Sequence, residues 1–243
     1  GTLFVAISLD PDLDAAEVFD RLNTGSQPLT VPDLLRNDVM RVTSKNLEEA
    51  DQLHKAHWLP FEKAFADGGN DKKHREGYFF PLALVRDSTT GKADTFHDLR
   101  KRLDNLRKEK GPLSPAEDVQ TTVADLAEYR DSYCAVTGTG SQSDIRTWDT
   151  GWTPPEKKDL HRSVKRLNRL NVPSVALPYF LQLLNETKWG RYKVKDAIAC
   201  IGVVEAFLVR RAIVGREPTG LHAVFKSLWD PGITKPVDLE NAL

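Results

Sequence analysis

The chain has 243 residues, 40% hydrophobic and 28% charged, the composition of an ordinary soluble protein long enough for one large core or two small ones. Its two cysteines, Cys134 and Cys200, make no disulfide framework and sit in apolar helical contexts, as buried free thiols in a reducing cytosol do. The net charge of −1 argues neither for nor against a polyanionic partner; the longest apolar run, 197–209, contains Glu205 and as a helix spans about 20 Å, short of a roughly 30 Å hydrocarbon layer.

Residues 3–9 read as a β-strand ended by Asp10-Pro11, and 14–22 as a short helix with Ala15, Val18, Phe19 and Leu22 on one face. One strand cannot form a sheet, so its partners are expected upstream or from another chain. Asn23 and Gly25 suit a helix exit. Thr30 fits the next N-cap, with Asp33 as its capping-box partner and Leu29 and Leu34 at the staple positions.

Asn46 with Glu49 opens a helix expected to run to Gly68-Gly69, its apolar face formed by Leu47, Ala50, Leu53, His57, Phe61 and Ala64, with Trp58 and Phe65 alongside. Residues 69–76 read as a charged loop, and 78–86 as an apolar helix with Pro81 in its first turn. Thr95 with Asp98 is expected to cap a helix bearing Phe96, Leu99, Leu103 and Leu106, with Arg100, Lys101, Arg102, Arg107 and Lys108 on its outer side. Gly111-Pro112 breaks it. Ser114-Pro115-Ala116-Glu117 combines N-cap, Pro at N1 and capping box, opening one helix that ends at Gly138.

Residues 139–155 form the least structured stretch, either a functional loop or a link between two lobes. Thr153 with Glu156 opens a basic helix whose core line is Leu160, Val164, Leu167 and Leu170 or Asn171, with Lys157, Lys158, Arg162, Lys165, Arg166 and Arg169 mostly off it. Ser174 is expected to cap the following helix, with Pro178 in its first turn. The run 188–195 interleaves cations with Trp189 and Tyr192, a mixture that suits phosphate contact with base stacking and equally a surface turn whose rings cap the core. The core helix that follows ends in Arg210-Arg211, where two cations favour the macrodipole, and its Glu205, if buried, needs a tertiary partner. Thr219 begins the last expected helix, with Leu221, Val224, Phe225 and Leu228; the tail after Gly232 has little periodicity.

No constellation for independent catalysis emerges. His54, His57 and Glu62 lack the zinc spacing and a third ligand, and 139–155 has no Gly-Lys-(Ser/Thr) phosphate loop. There is no Cys/His pair and no nucleophile elbow. His161, Asn168 and Asn171 lie in or at the end of one helix, so the metal-binding turn of a His-Asn-His nuclease is not formed. No catalytic and no metal-ligating residue is assigned.

Phe19, Leu22, Asn23, Thr24, Gly25, Leu29, Thr30, Asp33, Leu34, Arg36 and Asn37 together form a signature that resembles the N-terminal (GmrS-like) domain of GmrSD-type restriction endonucleases. The Val204–Arg211 helix matches the family's Arg-Arg motif, which with the first signature is fairly specific, and Trp58 to Glu62 and Leu177 to Leu181 match weaker motifs of that family. The resemblance implies a bacterial anti-phage protein that cuts modified DNA using nucleotide hydrolysis. The family's upstream Asp-Gly-Gln-Gln-Arg motif is missing, the chain opens without Met, and its only Met is Met40. The expectation is therefore a fragment: the helical, DNA-sensing middle of a cytoplasmic nucleotide-dependent enzyme. It would carry no cofactor of its own, the parent using NTP with a divalent metal. Its partners would be modified DNA, an upstream NTP-binding domain and a downstream nuclease domain, with no membrane.

The resemblance implies that Asn23, Thr24, Gly25, Asp33, Arg36 and Asn37 support the nucleotide site. Charge adds a second region. Residues 1–70 carry 12 acids and 6 bases, whereas 151–216 carry 5 acids and 13 bases. Such a basic half is the footprint an anionic partner uses. Candidate DNA contacts are Arg162, Lys165, Arg166, Arg169, Lys188, Arg191, Lys193, Arg210 and Arg211. The expected fold is mainly α, a multi-helix bundle of hairpins with one N-terminal strand left from a truncated α/β part. The expected division is 1–138 as an N-terminal lobe, 139–155 as a link and 156–243 as a basic lobe, or one continuous domain. The alternative function is a helical protein-interaction scaffold without catalysis.

Overall fold

The computed structural model describes residues 29–43, 46–66, 71–170, 172–215, 220–229 and 235–243. The expected strand at 3–9, the helix at 14–22 and Asn23, Thr24 and Gly25 lie outside the described residues. Among the described residues there is no strand, and the protein is a mainly α multi-helix bundle.

Helix α1 (Val31–Met40) starts as its cap dictates: the Asp33 carboxylate accepts from Thr30 N at 3.2 Å and Thr30 Oγ1 at 2.6 Å. Helix α2 (Leu47–Leu53) runs through a π-helical turn (His54–Trp58) into α3 (Leu59–Lys63). The π turn inserts a residue and rotates everything after it. Leu47, expected on the apolar face, opens the helix 84% exposed, while Trp58 is fully buried with Phe61 and Phe65.

Helix α4 (Asp71–Arg86) overturns the expected charged loop at 69–76, because the helix already begins at Asp71 and Pro81 lies inside it. Proline there removes one helical donor. The helix survives because its apolar face is locked in the core: Tyr78, Phe79 and Leu82 are buried, and Tyr78 Oη donates to the Leu126 carbonyl at 2.6 Å. The Tyr78 ring packs with centroids 5.3 Å away on both Phe65, tilted, and Tyr133, edge-to-face.

Helix α5 (Thr95–Lys110) has Asp94 at its N-cap. Thr95, expected there, instead turns its hydroxyl inward to the Lys92 carbonyl at 2.8 Å. Three of its expected outer cations also point inward. Arg100 and Arg107 reach buried Asp38 of α1 at 3.3 and 3.2 Å. Arg107 also pairs with Asp118 at 3.0 Å, and Arg102 with Asp125 at 3.0 Å. The carboxylates of α1 and of α6 (Pro115–Ala127) draw these arginines in, while Lys101 and Lys108 stay exposed.

The helix expected from Ser114 to Gly138 is two, α6 and α7 (Arg130–Thr137), separated by a turn at Glu128-Tyr129; Gly138 ends α7 with a left-handed backbone. Residues 139–155 are laid onto the end of α3. Gly140 has φ of +73°, and a Cβ there would stand 2.0 Å from the Ala64 carbonyl oxygen. Trp148 is buried, and its Nε1 donates to the Gln142 carbonyl at 3.0 Å.

Beyond it come α8 (Pro154–Arg169), α9 (Leu177–Lys188), α10 (Val194–Ile213), α11 (Leu221–Trp229) and α12 (Pro236–Ala242). Ser174 does not cap α9: it opens a 3₁₀ turn (Ser174–Ala176), and Ala176 is the N-cap. Helix α12 was not expected from the tail. Pro236 in its first turn marks its start, and Leu239 anchors it fully buried. One cluster of buried apolar side chains extends from Leu35 to Leu239, with α7 packed on both α8 and α9.

Candidate nucleic-acid interface

The site grows from the way α8 is built. Thr153 and Glu156 close a capping box, Thr153 N donating to Glu156 at 2.8 Å, and Pro154 and Pro155 pre-set the first turn. Leu160, Val164 and Leu167 then bury against the core. At 3.6 residues per turn, Lys158, Arg162, Lys165 and Arg169 fall within about 60° of one another, opposite that buried line. All four are exposed.

These four, with Arg146, His161 and Arg166, line a concavity of about 250 Å³ that has no carboxylate in its wall. Arg146 comes from the 3₁₀ turn Ile145–Thr147, held against α8 by the folding of 139–155. Its guanidinium lies on Asp144, Nε at 2.9 Å and Nη2 at 2.6 Å. That contact holds the Asp144 carboxyl down at about 2. Arg166 is fixed from α10: its Nε donates to both Glu205 oxygens at 3.0 and 2.9 Å, supplying the tertiary partner that Glu205 requires. Lys158, Lys165 and Arg169 have no carboxylate partner among the described residues, and Arg162 has only an exposed contact of 3.7 Å with Asp159. An exposed pair of that length contributes little.

His161 is 8% exposed and sets Nδ1 3.4 Å from Asp144. Its burial pulls it below its ordinary value; Asp144 opposes this, and the Arg146 and Lys165 charges reinforce it. The ring therefore sits neutral near pH 7 beside a row of cations.

The other candidate contacts do not line this concavity. Lys188 reaches Asp131 at 2.6 Å and lies 5.1 Å over the Trp148 ring. Arg191 grips Glu186, with Nε at 2.7 Å. Lys193 is the exposed N-cap residue of α10. Arg210 and Arg211 occupy the last turn of α10, Arg211 lying 5.7 Å over Phe207. Of the two rings in the 188–195 turn, Tyr192 turns inward, Oη 3.3 Å from Cys200 Sγ, and Trp189 stays 61% exposed.

At the other end, Asp33 caps Thr30 and lies 3.4 Å from Arg36, while Asn37 is exposed. Burial pushes the Asp33 carboxyl up, but the Thr30 hydroxyl and N–H, with the Arg36 and Arg75 charges, hold it below its ordinary value. Among the described residues no three His, Cys, Asp or Glu side chains converge as a metal site, and Asp33 is engaged in capping.

Sequence reasoning passed over Lys158 and His161 as site residues, although Lys158 stands four residues before Arg162 on the same stripe. Arg146 carried no local signal, since only the path of 139–155 brings it to α8. Comparison with protein-family models, curated proteins and solved structures finds no match to this chain.

Proposed function

We propose that this chain contacts a nucleic-acid backbone through the exposed face of α8, as the DNA-contacting helical part of a restriction system directed at modified phage DNA. The observation that carries the contact is the concavity walled by five arginines and lysines of one helix, Arg146 and His161, with no carboxylate among them. A cluster of one sign in a concave surface concentrates polyanions. The restriction setting comes from the signature around residues 19–37. In that setting nucleotide hydrolysis and cleavage belong to other parts of the parent protein, and this chain couples them to bound DNA.

The test is duplex binding by fluorescence anisotropy across a salt series. With four phosphate contacts, log K should fall with log salt at a slope of about −3 to −4, a roughly 100-fold loss between 50 and 200 mM. Absence of binding at 50 mM salt rejects the proposal. In the intact protein, Asn23→Ala and Arg210→Ala should reduce nucleotide turnover, DNA binding or phage restriction; unchanged values for all three reject those assignments.

A second reading, a protein-interaction scaffold, is favoured by the end of α10, where Ile213 is 78% and Val214 68% exposed. It predicts no salt-dependent DNA binding at all.

A further inference from the structure

Resting on the backbone-binding reading, we infer that Arg166 and Arg146 form a preset clamp for one phosphate group in the α8 concavity, with Glu205 and Asp144 as the residues that position it. The ligand unit is the phosphate group, carried by a nucleic-acid backbone or free. Three observations carry this. The first is which nitrogens are taken. Arg166 engages Glu205 through Nε alone, at 3.0 and 2.9 Å, and neither of its Nη groups has a partner among the described residues. Arg146 lays Nε and Nη2 along Asp144 and keeps Nη1 unpaired among the described residues. An arginine that only fastens helices looks different: Arg107 bonds carboxylates through Nε, Nη1 and Nη2 alike.

The second is where the carboxylates stand. Both arginines line the concavity, whereas Glu205 and Asp144 do not. Each acid therefore grips its guanidinium from outside the wall and leaves N–H groups for an oxyanion, which the planar fork matches. The holders are fixed in turn. Glu205 sits on α10, which packs on α8, and Asp144 accepts from the Arg146 backbone N at 3.0 Å as the cap of its 3₁₀ turn. The third is His161, which lines the same concavity at 8% exposure and has Nδ1 beside Asp144, while Nε2 has no partner among the described residues. Once protonated, that nitrogen donates to a phosphate oxygen. Lys158, Arg162, Lys165 and Arg169 are long and exposed and must give up rotamer freedom to close on a ligand; Arg166 and Arg146 have already lost it.

Summed charge and positioning predict opposite signs at Glu205. A carboxylate beside an arginine weakens the local positive field, so if the concavity works by total charge, removing Glu205 tightens phosphate binding. If Glu205 works by holding Arg166, removing it loosens binding. The experiment uses the full chain at one ionic strength and reads a labelled duplex by anisotropy and inorganic phosphate by calorimetry. Glu205→Ala should weaken binding about fivefold, the loss expected of one hydrogen bond. Glu205→Gln, whose amide oxygen still accepts from Arg166 Nε, should recover most of that loss. Arg166→Lys keeps the charge but loses the fork, and should also weaken binding about fivefold. Binding by Glu205→Ala that equals or exceeds the parent's overturns the inference, as does an Arg166→Lys variant that binds like the parent. An equal loss in Glu205→Gln overturns it too, by marking a packing effect at position 205. If Glu205→Ala does not fold, Arg166→Lys decides alone. Binding of phosphate without the duplex defeats the nucleic-acid reading and leaves the clamp to the phosphate titrations; binding of neither at 50 mM salt defeats both.

Discussion

Arg107 shows how much one side chain fixes. Its guanidinium joins Asp118, Asp38 and Asp104, tying α5 to α6 and α1, and it is mostly buried. Removing one partner of a buried pair leaves uncompensated charge, which costs more than the pair contributes. Arg107→Ala should therefore destabilise by about 3 kcal/mol, read from the urea midpoint, whereas Lys108→Ala should shift it by less than about 0.5 kcal/mol. His161 gives a prediction in pH. Its folded value lies below its ordinary one, so between the two the unfolded chain binds more protons. Stability is thus lost as pH falls from about 6.5 through that window. DNA affinity moves the opposite way, because a bound polyanion favours the charged ring. His161→Gln should flatten both trends between pH 7 and 5, checked by thermal melts and anisotropy on the same samples.

Among elements, the packed crossing of 139–155 over α3 depends most on one backbone site. Gly140 donates nothing from a side chain, yet Ser141 N bonds the Ala64 carbonyl at 3.2 Å just beyond it, and Cys134 Sγ approaches the same oxygen at 3.7 Å. Gly140→Ala combines a left-handed backbone with a carbonyl overlap, and should cost at least about 2 kcal/mol. Because this crossing carries Arg146 to α8, the variant should also weaken DNA binding before it unfolds, which a titration below the melting midpoint measures. Gly151→Ala, with open space around its Cβ, is the control expected to change neither.

For the whole molecule, the net charge of −1 conceals a separation of roles. In the first half Arg100, Arg102 and Arg107 are drawn inward by Asp38, Asp118 and Asp125 and act as internal fasteners. On α8 the acids are few, so the cations remain available outside. The same residue types are thus fastened inside in one region and left exposed in another, decided by whether a carboxylate lies within reach.

What was legible in the sequence was local. Capping boxes at Thr30, Ser114 and Thr153, prolines in first turns and apolar spacing named most helices and placed Leu160, Val164 and Leu167 inside, because each signal acts within a turn or two of the chain. The charge excess of 151–216 pointed to the basic helix for the same reason. Misreadings arose where distant partners overrode local preference. Packing held Pro81 inside α4, and Asp38 pulled supposedly outer arginines inward. Tertiary structure alone decided which cations share a surface. It placed Arg146 beside Lys158, matched Arg166 with Glu205, and set Lys188 and Arg191 on Asp131 and Glu186, since charge pairing depends on distance in space and not on separation along the chain.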